Sequence, residues 1–350
     1  MKKIYLCLSD GTVFEGKSFG SESMSVGEVV FNTSMVGYPE ILTDNNYKGQ
    51  IVIQTFPLIG NYGMVFDGEN TSPSISGLVV REVCETPSNF RNQGTLSEYL
   101  KSNNIPAICG VDTRELTRIL REKGCMNGAI CEKIPENFDF IKKHTVLNLV
   151  QSVSAKKTKI YGEGGKHKVA LIDLGTSADI ISTLVEKNCE INVFPWNVSK
   201  FEIDSYCPNG VVISDGPGDP RILEATSECV KELCGKYPIF AIGLGHQVLA
   251  ISNECKIKKM KVGHRGANQP SINTQTKRTH ITVQNHGYSV ELNSIPSDTQ
   301  ITFVNANDGS CEGLLYPKIN AFSVQFRPEA SCAPNNTLFL FEKFIKNMEV

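Results

Sequence analysis

Short apolar runs alternate with helical stretches in the second half of the chain, and this alternation constrains the fold more than any other feature. Four runs have the composition of buried strands and end in turn residues: KVALIDLG, EINVFPW, NGVVISDGPG and YPIFAIG. SADIISTLVEKN and ILEATSECVKELCGK, which lie between them, carry apolar residues at helical spacing. This strand–helix alternation predicts an α/β domain with an open, mostly parallel sheet. Ligands bind beyond the carboxyl ends of the strands in such sheets, so we expect a site in the loops that follow these runs.

The first half differs in texture and predicts a separate, mixed α/β domain. IYLCLSDGTVFEG indicates two strands around an Asp10-Gly11 turn, and the β-rich runs GEVVFNTSM, GQIVIQTFPLIGNYG and SGLVVREV follow. A stretch rich in Lys and Gly, residues 154–168, predicts a linker. We therefore expect an N-terminal domain at 1–153 and a C-terminal domain at 169–350.

Capping signals place two helices in the first half. Thr95 with Glu98, and Asp112 with Glu115, have the spacing of capping boxes. Gly124 follows the second helical pattern and is expected to end that helix.

Composition excludes several classes of protein. The chain has 350 residues with 40% apolar and 21% charged content, which fits two globular domains. A net charge of −2 favours neither nucleic acid nor an anionic membrane as a partner. The chain contains no apolar run of about 18 residues, and its first residues lack the apolar core of a signal peptide. The 12 cysteines include no CxxC pair, so we expect reduced thiols and a cytoplasmic location.

The turn in FAIGLGHQVLA has the outline of a nucleophile elbow, in which a strained apex residue points its side chain over a helix N-terminus. Here the apex is Gly243, which has no side chain. SDGPGDP, after an earlier strand, offers backbone N–H groups to a carboxylate or an oxyanion. His286 in QNHGYSV and Glu329 in FRPEAS are weak signals alone, since each residue type is common outside active sites. The order GPGDP, GxGHQ, QNHG, RPEA carries more weight, and we expect all four motifs on strand ends of one sheet.

In this order the motifs resemble those of class I glutamine amidotransferases. The whole chain, from about residue 3 to residue 348, resembles the small (glutaminase) subunit family of carbamoyl phosphate synthase. FNTSMVGYPEILTD, PSNFR and GVDTRELTRILREKG are similar to that family's own N-terminal domain. SDGPGDP, LGHQ, GHRGANQP and QNHG carry the likeness of the second half.

The resemblance implies a catalytic triad that this chain lacks. Active members carry a cysteine at the elbow and a later His-Pro-Glu, so that a thiolate attacks the side-chain amide of glutamine while histidine moves the proton. Gly243 stands at the cysteine position and Arg327 at the histidine position, and only Glu329 remains. Glycine offers no nucleophile and arginine stays protonated, so we expect the glutaminase step to be inactive. Two replacements fit a naturally decayed site better than a single engineered change.

The resemblance also implies a glutamine pocket, which is better kept than the catalytic pair. The matching positions are Ser34, Gly216, Gly218, Leu244, Gln247, Asn285, Gly287 and Tyr288. The backbone N–H groups of Gly218 and Leu244 are expected to form the oxyanion hole. Tyr288 replaces a common phenylalanine, and Ser177 and Asp179 replace a frequent Lys and Asn.

The resemblance implies a large synthetase subunit as partner, with the ATP sites on that subunit and neither cofactor nor metal in this chain. Three hypotheses stay open at this point. The chain is an inert subunit that docks on a large subunit using free ammonia, a free-standing glutamine-sensing or regulatory paralogue, or an active glutaminase with an unrecognised nucleophile. Cys332, three residues past Glu329, is the candidate for such a nucleophile. Arginine synthesis and pyrimidine synthesis both stay open as the use of the carbamoyl phosphate that the complex would make.

Overall fold

The computed structural model describes residues 1–65, 72–329 and 336–349. The chain divides into two compact units, Met1–Leu149 and Val150–Val350. None of the helices in the described ranges is both long and apolar enough to cross a membrane. The eleven cysteines within those ranges are free thiols.

The first unit is built on a closed seven-stranded barrel with the order β1-β2-β8-β6-β4-β3-β9. Its strands are β1 (Lys3–Leu8), β2 (Val13–Ser18), β3 (Ser25–Asn32), β4 (Gln50–Gln54), β5 (Leu58–Ile59), β6 (Gly77–Val79), β7 (Glu82–Val83), β8 (Ala107–Cys109) and β9 (Met126–Cys131). Its helices are α1 (Tyr38–Thr43), α2 (Leu96–Ser102), α3 (Thr113–Lys123) and α4 (Asp139–Lys142), and α5 (Leu149–Val153) crosses the boundary between the units. β5 and β7 form a separate parallel pair.

The helix caps of the first half mostly match the local sequence signals. Thr95 and Glu98 form the predicted reciprocal capping box, and Gly124, at φ 98°, ends α3. At the start of α3, Asp112 accepts N–H groups as predicted, but Glu115 pairs with Arg118 instead of closing the box. The nearby guanidinium of Arg118 gives Glu115 a charged partner on the exposed helix face. This charged hydrogen bond is stronger than one from a neutral backbone N–H.

The second unit contains a ten-stranded sheet with the order β10-β12-β11-β13-β14-β19-β18-β17-β15-β16. Its strands are β10 (Lys159–Tyr161), β11 (His167–Asp173), β12 (Cys189–Pro195), β13 (Gly210–Ile213), β14 (Ile239–Ile242), β15 (Ile257–Asn273), β16 (Thr279–Val290), β17 (Gln300–Asn305), β18 (Cys311–Tyr316) and β19 (Ala321–Val324). Its helices are α6 (Ala178–Glu186), α7 (Lys200–Tyr206), α8 (Glu224–Leu233), α9 (Leu244–Ser252) and α10 (Phe339–Met348). The five strands from β12 to β19 in this order run parallel, which confirms the predicted α/β class.

Helices cover both faces of the parallel strands because alternate strand residues point to opposite faces. On β14, Ile239 and Ala241 lie in one apolar cluster with residues of α7, α8 and α9. Phe240 and Ile242 lie in the other cluster with residues of α6 and α10. The strand order reverses between β11 and β13, and ligands of doubly wound sheets bind at such a switch point.

The stretch 154–168, predicted as a linker, belongs to the second unit. It carries β10, which pairs with β12 at the edge of the sheet, and the backbone N–H of Ala155 donates to Asp173 at 2.7 Å. Its glycines serve a turn, since Gly162 and Gly164 both have positive φ. A sequence rich in Lys and Gly is typical both of a linker and of a tight turn beside an edge strand. Composition alone therefore predicted a linker where the structure has a turn and a strand.

Candidate active site

Four loops meet at the carboxyl ends of the parallel strands. Ser214, after β13, accepts the N–H of Leu174 on its hydroxyl at 2.9 Å and the N–H of Gly245 on its carbonyl at 3.1 Å. The N–H of Gly243, after β14, donates to the carbonyl of Val324 in β19 at 2.9 Å. These contacts bring the SDGPGDP loop, the GLGHQ turn and the end of β19 together. The sequence predicts a site in these loops.

The GLGHQ turn has the strand–turn–helix geometry of an elbow. Gly243 is the N-cap of α9 at φ 56° and ψ −112°, a conformation that favours glycine. Gly245 packs against the carbonyl of Ile213 so closely that a Cβ there would overlap it. The small residues therefore hold the helix start tightly against β13.

Asp215 occupies the place of the missing side chain at the elbow. A Cβ built on Gly243 would overlap Oδ1 and Cγ of Asp215 and lie 2.7 Å from its Oδ2. Asp215 Oδ1 accepts the N–H groups of Leu244 and Gly216, each at 2.8 Å. Asp215 lies in SDGPGDP directly beyond a predicted buried strand, but no sequence signal distinguished it from the rest of that loop.

The predicted oxyanion hole is therefore partly filled. Of its two predicted donors, the N–H of Leu244 is directed at the Asp215 carboxylate. Gly218, the other predicted donor, lies in the same loop at φ 100°. Gly216 must be a glycine because a Cβ there would overlap the Leu174 carbonyl.

Glu329, the remaining member of the expected triad, is ion-paired with the residue that replaces histidine. Arg327 donates its Nε–H to Glu329 Oε1 at 3.1 Å, and the Glu329 side chain is fully buried. Ser177, the N-cap of α6, donates its hydroxyl to the same oxygen at 3.1 Å. Ser177 thus connects the loop after β11 to the segment after β19, whereas Asp179, two residues later in the first turn of α6, is half-buried.

The residues predicted to contact glutamine are spread over both units. Ser34 lies in the first unit, where its N–H donates to Asn32 Oδ1 at 2.7 Å. Gln247 donates its amide to the Tyr288 carbonyl at 2.9 Å and to Gln325 Oε1 at 2.8 Å. The side-chain nitrogen and oxygen of Asn285 are buried and have no hydrogen-bond partner among the described residues.

QNHG was predicted to lie at a strand end, but it lies in the interior of β16. Asn285 pairs with Arg265 of the GHRGANQP motif, and Gly287 and Tyr288 follow on the same strand. A bridge between Val283 and Arg327 brings β16 beside the segment after β19. The QNHG motif reaches the site because β16 pairs antiparallel with β15 and bridges to Arg327. The residue pattern of one strand does not show which other segments it pairs with.

Neither histidine of the two motifs is placed to act as a base in neutral solution. His246, in α9, is fully buried with its Nδ1 2.8 Å from Ser323 Oγ, and burial lowers its pKa to about 3. Burial also holds the pKa of His286 well below its usual value, and the neighbouring His264 lowers it further. Both rings are therefore neutral parts of the core.

A cluster of the half-buried His264 with the buried His286 and Glu312 brings three potential metal-ligand atoms within 4.8 Å of one another. Burial raises the pKa of Glu312. For His264, burial lowers the pKa, but the hydrogen bonds and charges of Glu312 and Asp308 together outweigh burial and leave the pKa raised. Gln284 donates to one Glu312 oxygen at 2.8 Å and Asn305 to the other at 3.0 Å, so hydrogen bonds account for this carboxylate.

Cys332, considered as a substitute nucleophile, lies outside the described residues.

Residues 170–347 match the family described as glutamine amidotransferase class-I, which defines the class of the second unit. Residues 6–130 match carbamoyl-phosphate synthase small chain, CPSase domain. A carbamoyl phosphate synthase small chain of Fusobacterium nucleatum is 46% identical over 98% of this chain and 98% of its own length. A Bacillus cereus protein of the same name is 44% identical over 99% and 96%. The chain therefore belongs to the carbamoyl phosphate synthase small chain family, as its motifs predicted.

Among solved structures, a glutamine amidotransferase from Thermotoga maritima is similar at 17% identity and a TM-score of 0.40, over 52% of this chain and 84% of its own.

Proposed function

We propose that this chain is a small subunit of carbamoyl phosphate synthase whose own glutaminase step is inactive. It docks on the large subunit, which carries the ATP sites and uses free ammonia. One observation carries this proposal: Gly243 and Arg327 stand where the nucleophile and the base are expected, beside a Glu329 that pairs with Arg327. The chain is thus a pseudoenzyme within a working complex.

The chemistry at the elbow supports inactivity at each step. Gly243 has no atom that can attack the glutamine amide, and the hydrogen bond between Arg327 and Glu329 stabilises the charged guanidinium. A guanidinium does not accept a proton near neutral pH, so the leaving ammonia has no acid–base partner there. Loss of two members of a catalytic unit commonly lowers the rate by several orders of magnitude.

Exposed apolar side chains in the first unit support docking. Met35 and Val36, in the loop after β3, and Phe90, in the loop after β7, are strongly exposed. The two loops are held to the same turn, since Gly37 donates to the Tyr62 hydroxyl and Ser88 to the Asn61 carbonyl. Strongly exposed apolar side chains on two loops held to one turn support a protein interaction surface here, and the large subunit is the partner that the family implies.

The test is co-expression with the cognate large subunit, followed by assays with glutamine or ammonium as nitrogen source. We expect co-purification, carbamoyl phosphate from ammonium, and no glutamate release. Glutamate release within about tenfold of the roughly 10 per second of a typical enzyme would refute inactivity. A chain that stays free beside the large subunit, and leaves its ammonia-dependent rate unchanged, would favour the free-standing sensing paralogue.

A further inference from the structure

The Asp215 carboxylate is built into the elbow, not merely near it. It is 6% exposed and bonds the first N–H of α9 as well as the N–H of its own neighbour, Gly216. Gly243 provides no side-chain cap for α9, so Asp215 supplies the anion that the positive end of a helix favours. A carboxylate held by two backbone N–H groups is a strongly bound internal ligand.

The same N–H of Leu244 is the donor that a bound glutamine amide needs for its oxygen. An amide oxygen and the Asp215 carboxylate cannot both take this N–H, because Oδ1 lies 2.8 Å from the nitrogen. A neutral amide makes weaker bonds there than a carboxylate, about half as strong. Glutamine must therefore displace the carboxylate before its side chain can reach the elbow.

We propose that Asp215 closes this pocket to glutamine by occupying the oxyanion position with the chain's own carboxylate. Asp215 is on this view the residue that determines ligand specificity at the elbow. The loss of the thiol and the exclusion of the amide are then carried by different residues, although Asp215 fits at the elbow only because Gly243 has no Cβ.

The proposal makes a quantitative statement about affinity. A hydrogen bond to a charged group contributes an amount equivalent to about 10- to 100-fold in an equilibrium constant. Removing the competing carboxylate is therefore expected to tighten glutamine binding by at least about tenfold. An asparagine keeps the shape and the accepting oxygen but loses the charge, so it should give an intermediate affinity.

Calorimetric titration of the full-length chain with L-glutamine tests this, using wild type, Asp215→Ala and Asp215→Asn. Asp173→Ala is the matched control, because Asp173 is 5% exposed and also accepts backbone N–H groups at a strand end, those of Gly175 and Thr176. We expect the order of affinity Asp215→Ala, then Asp215→Asn, then wild type, with Asp173→Ala equal to wild type.

Wild type that binds glutamine within about twofold of Asp215→Ala would overturn the proposal, as would an equal gain in Asp173→Ala. Should Asp215→Ala fail to fold, the folded Asp215→Asn decides, and affinity no tighter than wild type overturns the proposal. Closure by Asp215 goes beyond the proposed function, and docking is measured separately. A chain that supports ammonia-dependent synthesis yet binds glutamine as tightly as its Asp215→Ala variant would contradict only the closure.

Discussion

Restoring a thiol at the elbow should destabilise the second unit. In Gly243→Cys, the new Cβ would overlap the Asp215 carboxylate, and the backbone would keep its φ of 56° and ψ of −112°. The side chain of Asp215 must rotate away and give up the N–H groups of Leu244 and Gly216. The substitution thus adds strain and removes charge-assisted hydrogen bonds at once.

The magnitude follows from these two contributions. A non-glycine residue in such a conformation costs about 1–3 kcal/mol. Loss of hydrogen bonding to a charged group costs about 1.5–3 kcal/mol more. We therefore expect Gly243→Cys to lower the free energy of unfolding by about 2.5–6 kcal/mol.

Urea unfolding followed by the fluorescence of Trp196 measures this change. Trp196 is the one tryptophan and packs on an apolar cluster of the second unit, so its signal reports that unit. Gly235→Cys is the matched control, because Gly235 has φ 77° but a Cβ there would meet nothing closer than 3.9 Å. The control should lose only the conformational part, about 1–3 kcal/mol.

A double-mutant cycle isolates the collision. Asp215→Ala removes the overlapping atoms, so Gly243→Cys should cost about 2 kcal/mol less in that background than in wild type. Two results would refute the reasoning. One is a Gly243→Cys chain within about 0.5 kcal/mol of wild type, and the other is strict additivity of the two substitutions.

Catalysis, pH dependence and docking can each be tested by substitution. Gly243→Cys alone should release no glutamate from glutamine, whereas adding Arg327→His should restore a measurable rate; equal rates for both would show that arginine suffices. His246, with a folded pKa of about 3 against 6.5 unfolded, binds its proton only on unfolding. The contribution of His246 to stability should therefore fall as pH falls below 6.5, by about 2 kcal/mol near pH 5. In urea titrations His246→Gln should lose this part of the pH dependence and keep the part of the same sign that His286 contributes. Phe90→Ser should leave unfolding unchanged but weaken co-purification with the large subunit by about tenfold, unlike Phe201→Ser on the second unit, and equal effects would contradict docking through Phe90.

The parallel sheet was predictable because its determinants are local. Runs such as YPIFAIG carry the length, apolar content and terminal glycine of a buried strand, and the structure has β14 there. The elbow was predictable for the same reason, since its three residues Gly243-Leu244-Gly245 are consecutive. Helix caps at Thr95 and Gly124 likewise depend on residues a few positions apart.

The contacts inside the site were not predictable because they join residues far apart in sequence. Asp215 meets the N–H of Leu244 across 29 positions, and Ser177 meets Glu329 across 152. The resemblance drew attention to the two replaced triad positions, but it carried no signal for a carboxylate that fills the space they leave. Nor did the alternating pattern of QNHGYSV show that a bridge to Arg327 would bring the middle of a strand to the site.

The side chains around the elbow fit together only as a set. Asp215 can reach the N–H of Leu244 because Gly243 has no Cβ, so a cysteine at 243 and the present position of Asp215 exclude each other. With a neutral residue at position 327, the buried Glu329 carboxylate would have no counterion. Arg327 supplies that counterion. The two changed positions, Gly243 and Arg327, thus each permit an internal contact that stabilises the folded chain. A site with these compensations resists single reversions, because each reversion first breaks a contact on which the present fold depends.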